Sequence, residues 1–223
     1  VDVNVAVWGK VFVDVVEDLA RDRAKQILCV GNLRQIGLLM QSWSDDNDGR
    51  VLPWRADYGG DTYFWFYSIL SYLGNKPIPY GGQVTVNTDL FWCPASTQPY
   101  AQDILEGYST WVGIPRISYG ENTVTWWSPL GTNSPIPGFR LTQVRKPDRW
   151  LLAADGRSIY IQSASDSWGS LSDNSPAYRH LRVQPGTFLP NQANILLLDG
   201  HVESSLPLVR EESGKYNWDV TGR

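Results

Sequence analysis

The feature that most constrains this chain is its opening stretch, residues 1–46, which predicts one long helix. No proline interrupts this stretch, although the chain has 14 prolines further on. It ends in the turn-forming run Ser44–Gly49. At about 1.5 Å per residue, such a helix forms a rod of roughly 65 Å, whereas an ordinary helix has about 11–12 residues. One small head domain cannot cover this rod, so we expect part of it to be buried against a membrane or against other copies of the chain.

The two halves of the predicted helix differ in the pattern of their apolar residues. Lys10, Asp14, Glu17 and Asp18 break the first half well short of the ~20 apolar residues that a membrane span needs. Burial of this half therefore requires its charges to pair across neighbouring helices. The candidate filament-core face recurs at i+4 spacing: Val3, Val7, Val11, Val15 and Leu19. The candidate head-packing residues follow at helical spacing: Ile27, Val30, Leu33, Ile36, Met40 and Trp43.

Composition indicates a different structure after the helix. The formal net charge is only −4 and no cluster of Lys and Arg occurs, so we do not expect nucleic-acid binding. The 11 Trp, 11 Tyr, 20 Gly and 14 Pro favour loop-rich β structure with exposed aromatic surface. The chain is therefore predicted to divide into a long N-terminal helix over residues 1–46 and a globular, β-rich head over residues 47–223.

Local patterns predict the main elements of the head. Residues 62–74 have helical spacing and end in glycine, which predicts a short second helix with its aromatic side chains in the core. Residues 150–156 predict an apolar strand that ends in an Asp-Gly turn, and residues 195–203 predict a strand–Asp-Gly–strand hairpin. The fold class is therefore predicted to be α+β.

Few residues indicate chemistry. His180 and His201 are the two histidines, and with Asp155 and Asp199 they could form a metal site. The favoured alternative is an Asp-Gly turn with both histidines in structural hydrogen bonds. The acidic run after the helix fails the EF-hand pattern, because Ser44 and Arg55 occupy its first and twelfth positions.

We predict that the chain is not an enzyme and that it needs no cofactor to fold. It contains no nucleophile elbow, phosphate loop or dinucleotide-binding glycine motif. Cys29 and Cys93 are separated by 64 positions, which excludes a Cys-x-x-Cys redox or zinc motif.

Several short motifs follow one another in order between about residue 20 and residue 202, and each is weak alone. Together they resemble the type IV pilin-like family, and more narrowly the bacterial prepilin-type proteins with a C-terminal His…Asp-Gly element. A long polar insertion over residues 163–189 spreads that element in this chain, so that nineteen positions separate His180 from Asp199. The motifs are Ala-Arg-x-Arg-Ala-Lys at 20–25, Cys-x-x-Asn-Leu-Arg-Gln-Ile-Gly at 29–37, Phe-Trp-Cys-Pro at 91–94, Ser-Tyr-Gly-Glu-Asn at 118–122, Lys-Pro-Asp-Arg-Trp at 146–150, Arg-His at 179–180 and Leu-Asp-Gly-His-Val at 198–202.

The resemblance implies a fold, a location and a set of partners. The fold would be pilin-like, with the long helix packed on a head that contains an antiparallel sheet. The chain would be made as a precursor inserted in the inner membrane, lose a leader peptide and polymerise into an extracellular filament with the help of assembly and secretion machinery. In that oxidising compartment Cys29 and Cys93 would form a disulfide. Related pseudopilins also imply a structural calcium ion in a head loop.

Three functions follow as hypotheses. The first is the major structural subunit of a type IV pilus-like filament, a homopolymer held together by its helices. The second is a minor pseudopilin of a type II secretion-like machine, present in few copies. The third, of another class, is a surface module whose aromatic side chains bind a glycan.

Overall fold

The computed structural model of the chain describes residues 3–58, 61–74, 89–96, 117–122, 139–156, 160–161, 177, 179–180 and 192–205. Within these ranges it describes the side chains other than those of residues 3–12, 55–63, 160 and 205. Residues 109–113 and 124–127, whose β-prone composition predicts two further strands, lie outside the described residues, as does the polar tail over residues 207–223.

The predicted long helix is confirmed as α1, which runs over Val3–Asp46, 44 residues. It ends at Asp46, inside the turn-forming run. Gly49 adopts a left-handed φ of 69°, and its backbone N–H bonds to the Ser44 carbonyl at 2.9 Å. Glycine accommodates this conformation because it has no Cβ.

Among the described residues, no helix combines the length and the apolar character needed to span a membrane.

The C-terminal half of α1 packs on the head through one face. Its buried apolar residues are separated alternately by four and three positions, the spacing of a single helix face. They are Cys29, Leu33, Ile36, Met40 and Trp43. Four of the six predicted head-packing residues belong to this face. Ile27 does not, because it lies one residue, or about 100°, beyond the buried Gln26 and is 62% exposed. Val30 is half-buried at the edge of the face.

A five-stranded sheet forms the head surface under α1. Its central strands β4 and β6 are buried along their whole length. The spatial order is β5-β3-β4-β6-β7, with antiparallel pairing except for β5, which runs parallel to β3. This arrangement confirms an α+β fold with a mainly antiparallel sheet, and β6 and β7 form the predicted hairpin. The strands are β3 Tyr119–Asn122, β4 Leu151–Asp155, β5 Tyr160–Ile161, β6 Ala193–Leu197 and β7 Val202–Ser205.

The helix lies close to the sheet at Gly37. A Cβ atom on this residue would lie 2.9 Å from Cδ1 of Leu196, which is fully buried in β6. Real Cβ atoms do not come this close to a neighbour, so a larger residue here would require the Leu196 side chain to shift.

A small hairpin precedes a shorter helix than the sequence predicts. Strands β1 Arg55–Tyr58 and β2 Asp61–Phe64 pair antiparallel. Helix α2 covers Trp65–Ile69, and a 3₁₀ turn over Leu70–Leu73 continues it to Gly74, which has a φ of 80°. The predicted helix over 62–74 is therefore wrong for its first three residues, because pairing with β1 recruits them into a strand.

The aromatic residues around α2 form core, as predicted. Trp65 makes edge contacts with Phe66 and Phe91 at ring-centroid distances of 5.6 and 5.7 Å. All three rings are fully buried.

The predicted Asp-Gly turn at the end of β4 is absent. Instead, the Gly156 N–H bonds to the Ser118 carbonyl at 2.9 Å, which continues the pairing with the β3 side of the sheet. Asp155 therefore remains in an extended, buried strand rather than at an exposed corner. This placement brings its carboxylate into the interior.

Candidate functional site

A disulfide joins α1 to the head. Cys29 and Cys93 are bonded, with their Cα atoms 5.2 Å apart, and both residues are fully buried. This confirms the predicted pairing. Cys93 follows a 3₁₀ turn over Asp89–Phe91, so the bond holds this short segment against the helix.

A buried Asp–His pair lies directly beside the disulfide. Nε2 of His180 is 2.9 Å from Oδ2 of Asp155, and both side chains are fully buried. The same carboxylate oxygen accepts the backbone N–H of Asn194 at 2.6 Å. Nε2 of His180 also lies 3.6 Å from Sγ of Cys93. These contacts bring one histidine, one aspartate and two cysteines into one buried cluster.

Backbone pairing positions the two polar members of this cluster. Asp155 is the last residue of β4. His180 exchanges two backbone hydrogen bonds with Gln192, at 3.0 and 2.7 Å, just before β6. Ala177 also donates its N–H to the Asp155 carbonyl at 2.7 Å. Residues 177 and 180, which belong to the long polar insertion, therefore pair with the end of β4 and with the residue just before β6.

The four candidate metal ligands separate into two pairs at opposite ends of β6. Asp155 and His180 lie near its first residues, as described above. Asp199 and His201 lie in the β6–β7 turn, where His201 Nδ1 is 2.6 Å from Asp199 Oδ1 and both side chains are partly exposed. The predicted Asp-Gly turn is present here, with Gly200 at a φ of 91°. The four residues therefore do not form one site.

Burial raises the pKa of the Tyr119 hydroxyl above its ordinary range, and the negative charge of Asp155 adds to this effect. The phenol therefore stays protonated at neutral pH. It adds no charge to the interior around the Asp–His pair.

Sequence reasoning missed a role for Asn32. Its Nδ2 donates to the carbonyls of Trp92 and Asp89, at 3.0 and 3.3 Å. The signal was the Cys-x-x-Asn spacing, because residues three apart lie on the same side of a helix. Cys29 and Asn32 thus both hold the same head segment, Cys29 through the disulfide and Asn32 through hydrogen bonds.

Sequence reasoning also missed the buried Gln26, which marks the point where α1 leaves the head. Its Nε2 donates to Oγ of Ser204 at 3.1 Å and to Oε1 of Gln192 at 3.2 Å. Ser204 in turn donates to Oδ1 of Asn194 at 2.7 Å. On the helix side, Arg23 Nη1 donates to Oε1 of Gln26 at 2.6 Å. This polar network connects the helix to β6 and β7 at the point where its N-terminal part leaves the head.

N-terminal to Gln26, the helix projects away from the part of the head that the structure describes. None of the described side chains from residue 13 to residue 25 is buried. Val15 and Leu19, from the predicted filament-core face, are half-buried. Leu19 lies on the head-facing side, seven and fourteen residues before Gln26 and Leu33. The side chains of Val3, Val7 and Val11 lie outside the described residues.

The opposite side of α1 carries a stripe of apolar and small residues that we call the outward stripe. Successive members are seven, four, three, four and seven residues apart, which places them within one narrow sector of the helix. Val13, Ile27 and Leu38 are 52%, 62% and 70% exposed. The full set is Val13, Ala20, Ala24, Ile27, Gly31 and Leu38.

Comparison of the chain with models of protein families, with curated proteins and with solved structures found no match. Among the described residues, the buried cluster and the outward stripe are the features from which we argue a function.

Proposed function

We propose that this protein is the structural subunit of an extracellular, type IV pilus-like filament that polymerises through its N-terminal helix. The observation that carries the proposal is a 44-residue helix whose C-terminal half is built into the head and whose described N-terminal side chains are all at least partly exposed. A filament with helices in its centre and heads outside would bury that half.

The outward stripe supplies the apolar contact that such packing needs. Burying a Val, Leu or Ile side chain contributes roughly 1.5–3 kcal/mol relative to leaving it exposed. Val13, Ile27 and Leu38 would all become buried if a neighbouring helix lay along the stripe. Ala20, Ala24 and Gly31 between them are small enough for that helix to approach at the usual interaxial distance of about 8–10 Å.

Charges on the projecting segment are partly neutralised within the chain. Arg21 contacts Asp18 at 2.9 Å, and Lys25 contacts Asp22 at 3.9 Å. Both pairs lie off the outward stripe when residues are placed at about 100° intervals. Exposed pairs of this kind stabilise a helix little, but pairing lowers the cost of bringing several copies of the segment together.

The described aromatic residues give less support to a glycan-binding module. Their largest rings lie in the core, including Trp65, Trp150, Tyr67 and Tyr119. The large apolar side chains exposed among the described residues are aliphatic. Glycan recognition would instead place aromatic faces at the surface, so the exposed surface of the described chain suits helix packing better.

A pair of substitutions tests the proposal. Ile27→Glu places a charge in the middle of the outward stripe, and Leu73→Glu places the same charge at another exposed leucine, on the head. We expect Ile27→Glu to lower the fraction of protein in filaments, as read by negative-stain microscopy and pelleting, and Leu73→Glu to leave it unchanged. Equal assembly by both variants would overturn the proposal. Long uniform fibres from the native source would identify a major subunit rather than a minor one.

A further inference from the structure

We propose that Cys29, Cys93, Asp155 and His180 form a tetrahedral site for zinc once the disulfide between the cysteines has been reduced. Cys29 lies in α1 and Asp155 lies in β4. Cys93 follows the Asp89–Phe91 turn, and His180 pairs with the residue just before β6. Each offers one ligand atom, and the four atoms lie within 4.8 Å of one another. All four residues are buried.

The spacing of the donor atoms fits a zinc tetrahedron at one edge and must widen at two others, because Nε2 of His180 and Oδ2 of Asp155 are 2.9 Å apart and the two sulfurs are bonded. With bonds of about 2.3 Å to sulfur and about 2.0–2.1 Å to nitrogen, the sulfur–nitrogen edge of a tetrahedral site is about 3.6 Å. Cys93 Sγ and His180 Nε2 are 3.6 Å apart. The two sulfurs, bonded in this structure, would separate to about 3.8 Å. Rotation about either Cα–Cβ bond moves a sulfur without moving the backbone.

The donor set favours zinc over the harder cations. Two thiolates, one imidazole and one carboxylate are ligands that zinc takes in tetrahedral sites, whereas calcium and magnesium prefer oxygen ligands only. The zinc ion would cancel two of the three negative charges brought by the thiolates and the carboxylate. Arg179, whose guanidinium donates to the Gly156 carbonyl next to Asp155, brings a positive charge to the same region.

The surroundings of Asp155 are those of an oriented ligand. The Asn194 N–H fixes one carboxylate oxygen, Oδ2, at 2.6 Å. The other, Oδ1, is buried and has no hydrogen-bond partner among the described residues. Buried carboxylate oxygens rarely stay unpaired, and hydrogen bonds that orient a ligating side chain are typical of metal sites. A metal ion bound to the carboxylate through Oδ1 would give this oxygen a partner.

The reductant that opens the site is a dithiol. Its two sulfurs give two electrons to the Cys29–Cys93 bond and become a disulfide, and their two protons pass to the cysteines. Zinc then binds the two thiolates and releases these protons to water. The oxidised chain offers the metal no thiolate, so it should bind none at this cluster. The same junction between helix and head would thus be held by a covalent bond under oxidising conditions and by a metal under reducing conditions.

The test uses the full chain, reduced with a phosphine that is then removed, with Co²⁺ and Zn²⁺ alone as probes. We expect one metal ion per reduced chain, the thiolate-to-cobalt absorption band of a tetrahedral site, and displacement of Co²⁺ by Zn²⁺. We expect the oxidised chain to give no such band. A reduced chain that shows no band, or an oxidised chain that shows the same one, would overturn the proposal.

Matched variants separate this site from chance binding by two thiols. His180→Ala and Asp155→Asn should each weaken Zn²⁺ affinity more than roughly tenfold, the loss that even outer-shell changes produce. His201→Ala, at the other histidine, should leave the affinity unchanged. Circular dichroism of the oxidised variants establishes that they fold. If a variant does not fold when oxidised, the comparison is made on His180→Gln and Asp155→Ser. Equal Zn²⁺ affinity in the wild type and in the folded His180 and Asp155 variants would contradict the assignment.

Discussion

Gly31 and Gly37 are two residues of one helix whose surroundings predict opposite effects of the same substitution. Alanine in place of glycine favours a helix interior by roughly 1 kcal/mol. Nothing lies within 4 Å of a Cβ placed on Gly31, so Gly31→Ala should stabilise the fold by up to about that amount. A Cβ on Gly37 would meet the buried Leu196, and such overpacking costs about 1–3 kcal/mol.

We therefore expect Gly37→Ala to be less stable than Gly31→Ala by about 1–3 kcal/mol in urea unfolding. The two variants share the gain in helix propensity, so their difference isolates the contact with Leu196. Equal unfolding midpoints would contradict the predicted cost and show that the Leu196 side chain shifts freely.

Tyr72 predicts a dependence of stability on alkaline pH. Burial first, and then the hydrogen bond to and the charge of Asp46, raise the pKa of Tyr72 to about 12. Its hydroxyl donates to Asp46 Oδ2 at 2.8 Å. The folded pKa lies above the ordinary value of 10.0, so the stabilisation is fully present below about pH 10 and is lost as the pH rises through about 12.

Urea unfolding of wild type and Tyr72→Phe at about pH 9 and pH 11 checks this dependence. The phenylalanine variant cannot form the hydrogen bond and should be less stable at the lower pH. We expect the difference between the two proteins to shrink at the higher pH. A stability difference that is the same at both pH values would contradict the raised pKa of Tyr72.

At the scale of elements, the disulfide joins α1 to the segment around Cys93. It closes a loop of 64 residues, which in the chain-entropy model stabilises the fold by about 4 kcal/mol. Intact-mass measurement after alkylation in denaturant should show no modified thiol in the native protein and two after reduction. The metal-free reduced protein should unfold at a clearly lower urea concentration. Two reactive thiols without reduction would contradict the pairing.

Periodicity predicted those elements whose own residues decide their structure. The helix over 1–46 and the β6–β7 hairpin follow from local patterns, and Leu33, Ile36, Met40 and Trp43 face the core as predicted. Ile27 was misplaced because one step along a helix turns a side chain by about 100°, which an approximate apolar spacing does not detect. Residues 62–64 were misplaced because aromatic residues suit both strands and helices, and pairing with β1 decides between them.

The buried cluster could not be predicted from the sequence as a unit. Its four residues come from segments far apart in the chain, and only the disulfide carried a signal, through the resemblance of the motifs around the two cysteines. Asp155 was predicted at an exposed turn because Asp-Gly is a typical turn pair. Continued pairing of Gly156 with Ser118 keeps it inside instead.

At the scale of the whole molecule, the helix has two halves with different roles. The half from Gln26 onward belongs to the core of the head, since its inner face is buried against β6, β7 and the disulfide-linked segment. The described side chains before Gln26 contribute no buried residue. We therefore expect removal of residues 1–18 to leave the head folded, with the polar network of Gln26 and the Cys29–Cys93 bond intact.

Sedimentation of the protein that lacks residues 1–18, beside the full chain, tests most directly whether the helix carries assembly. The truncation removes the helical residues Val3–Asp18, including Val13 of the outward stripe, so the remaining contact falls toward the small interfaces that do not hold proteins together. We expect the full chain to pellet as filaments and the truncated protein to sediment as a folded monomer. Filaments formed by the truncated protein would contradict the account and place assembly in the head.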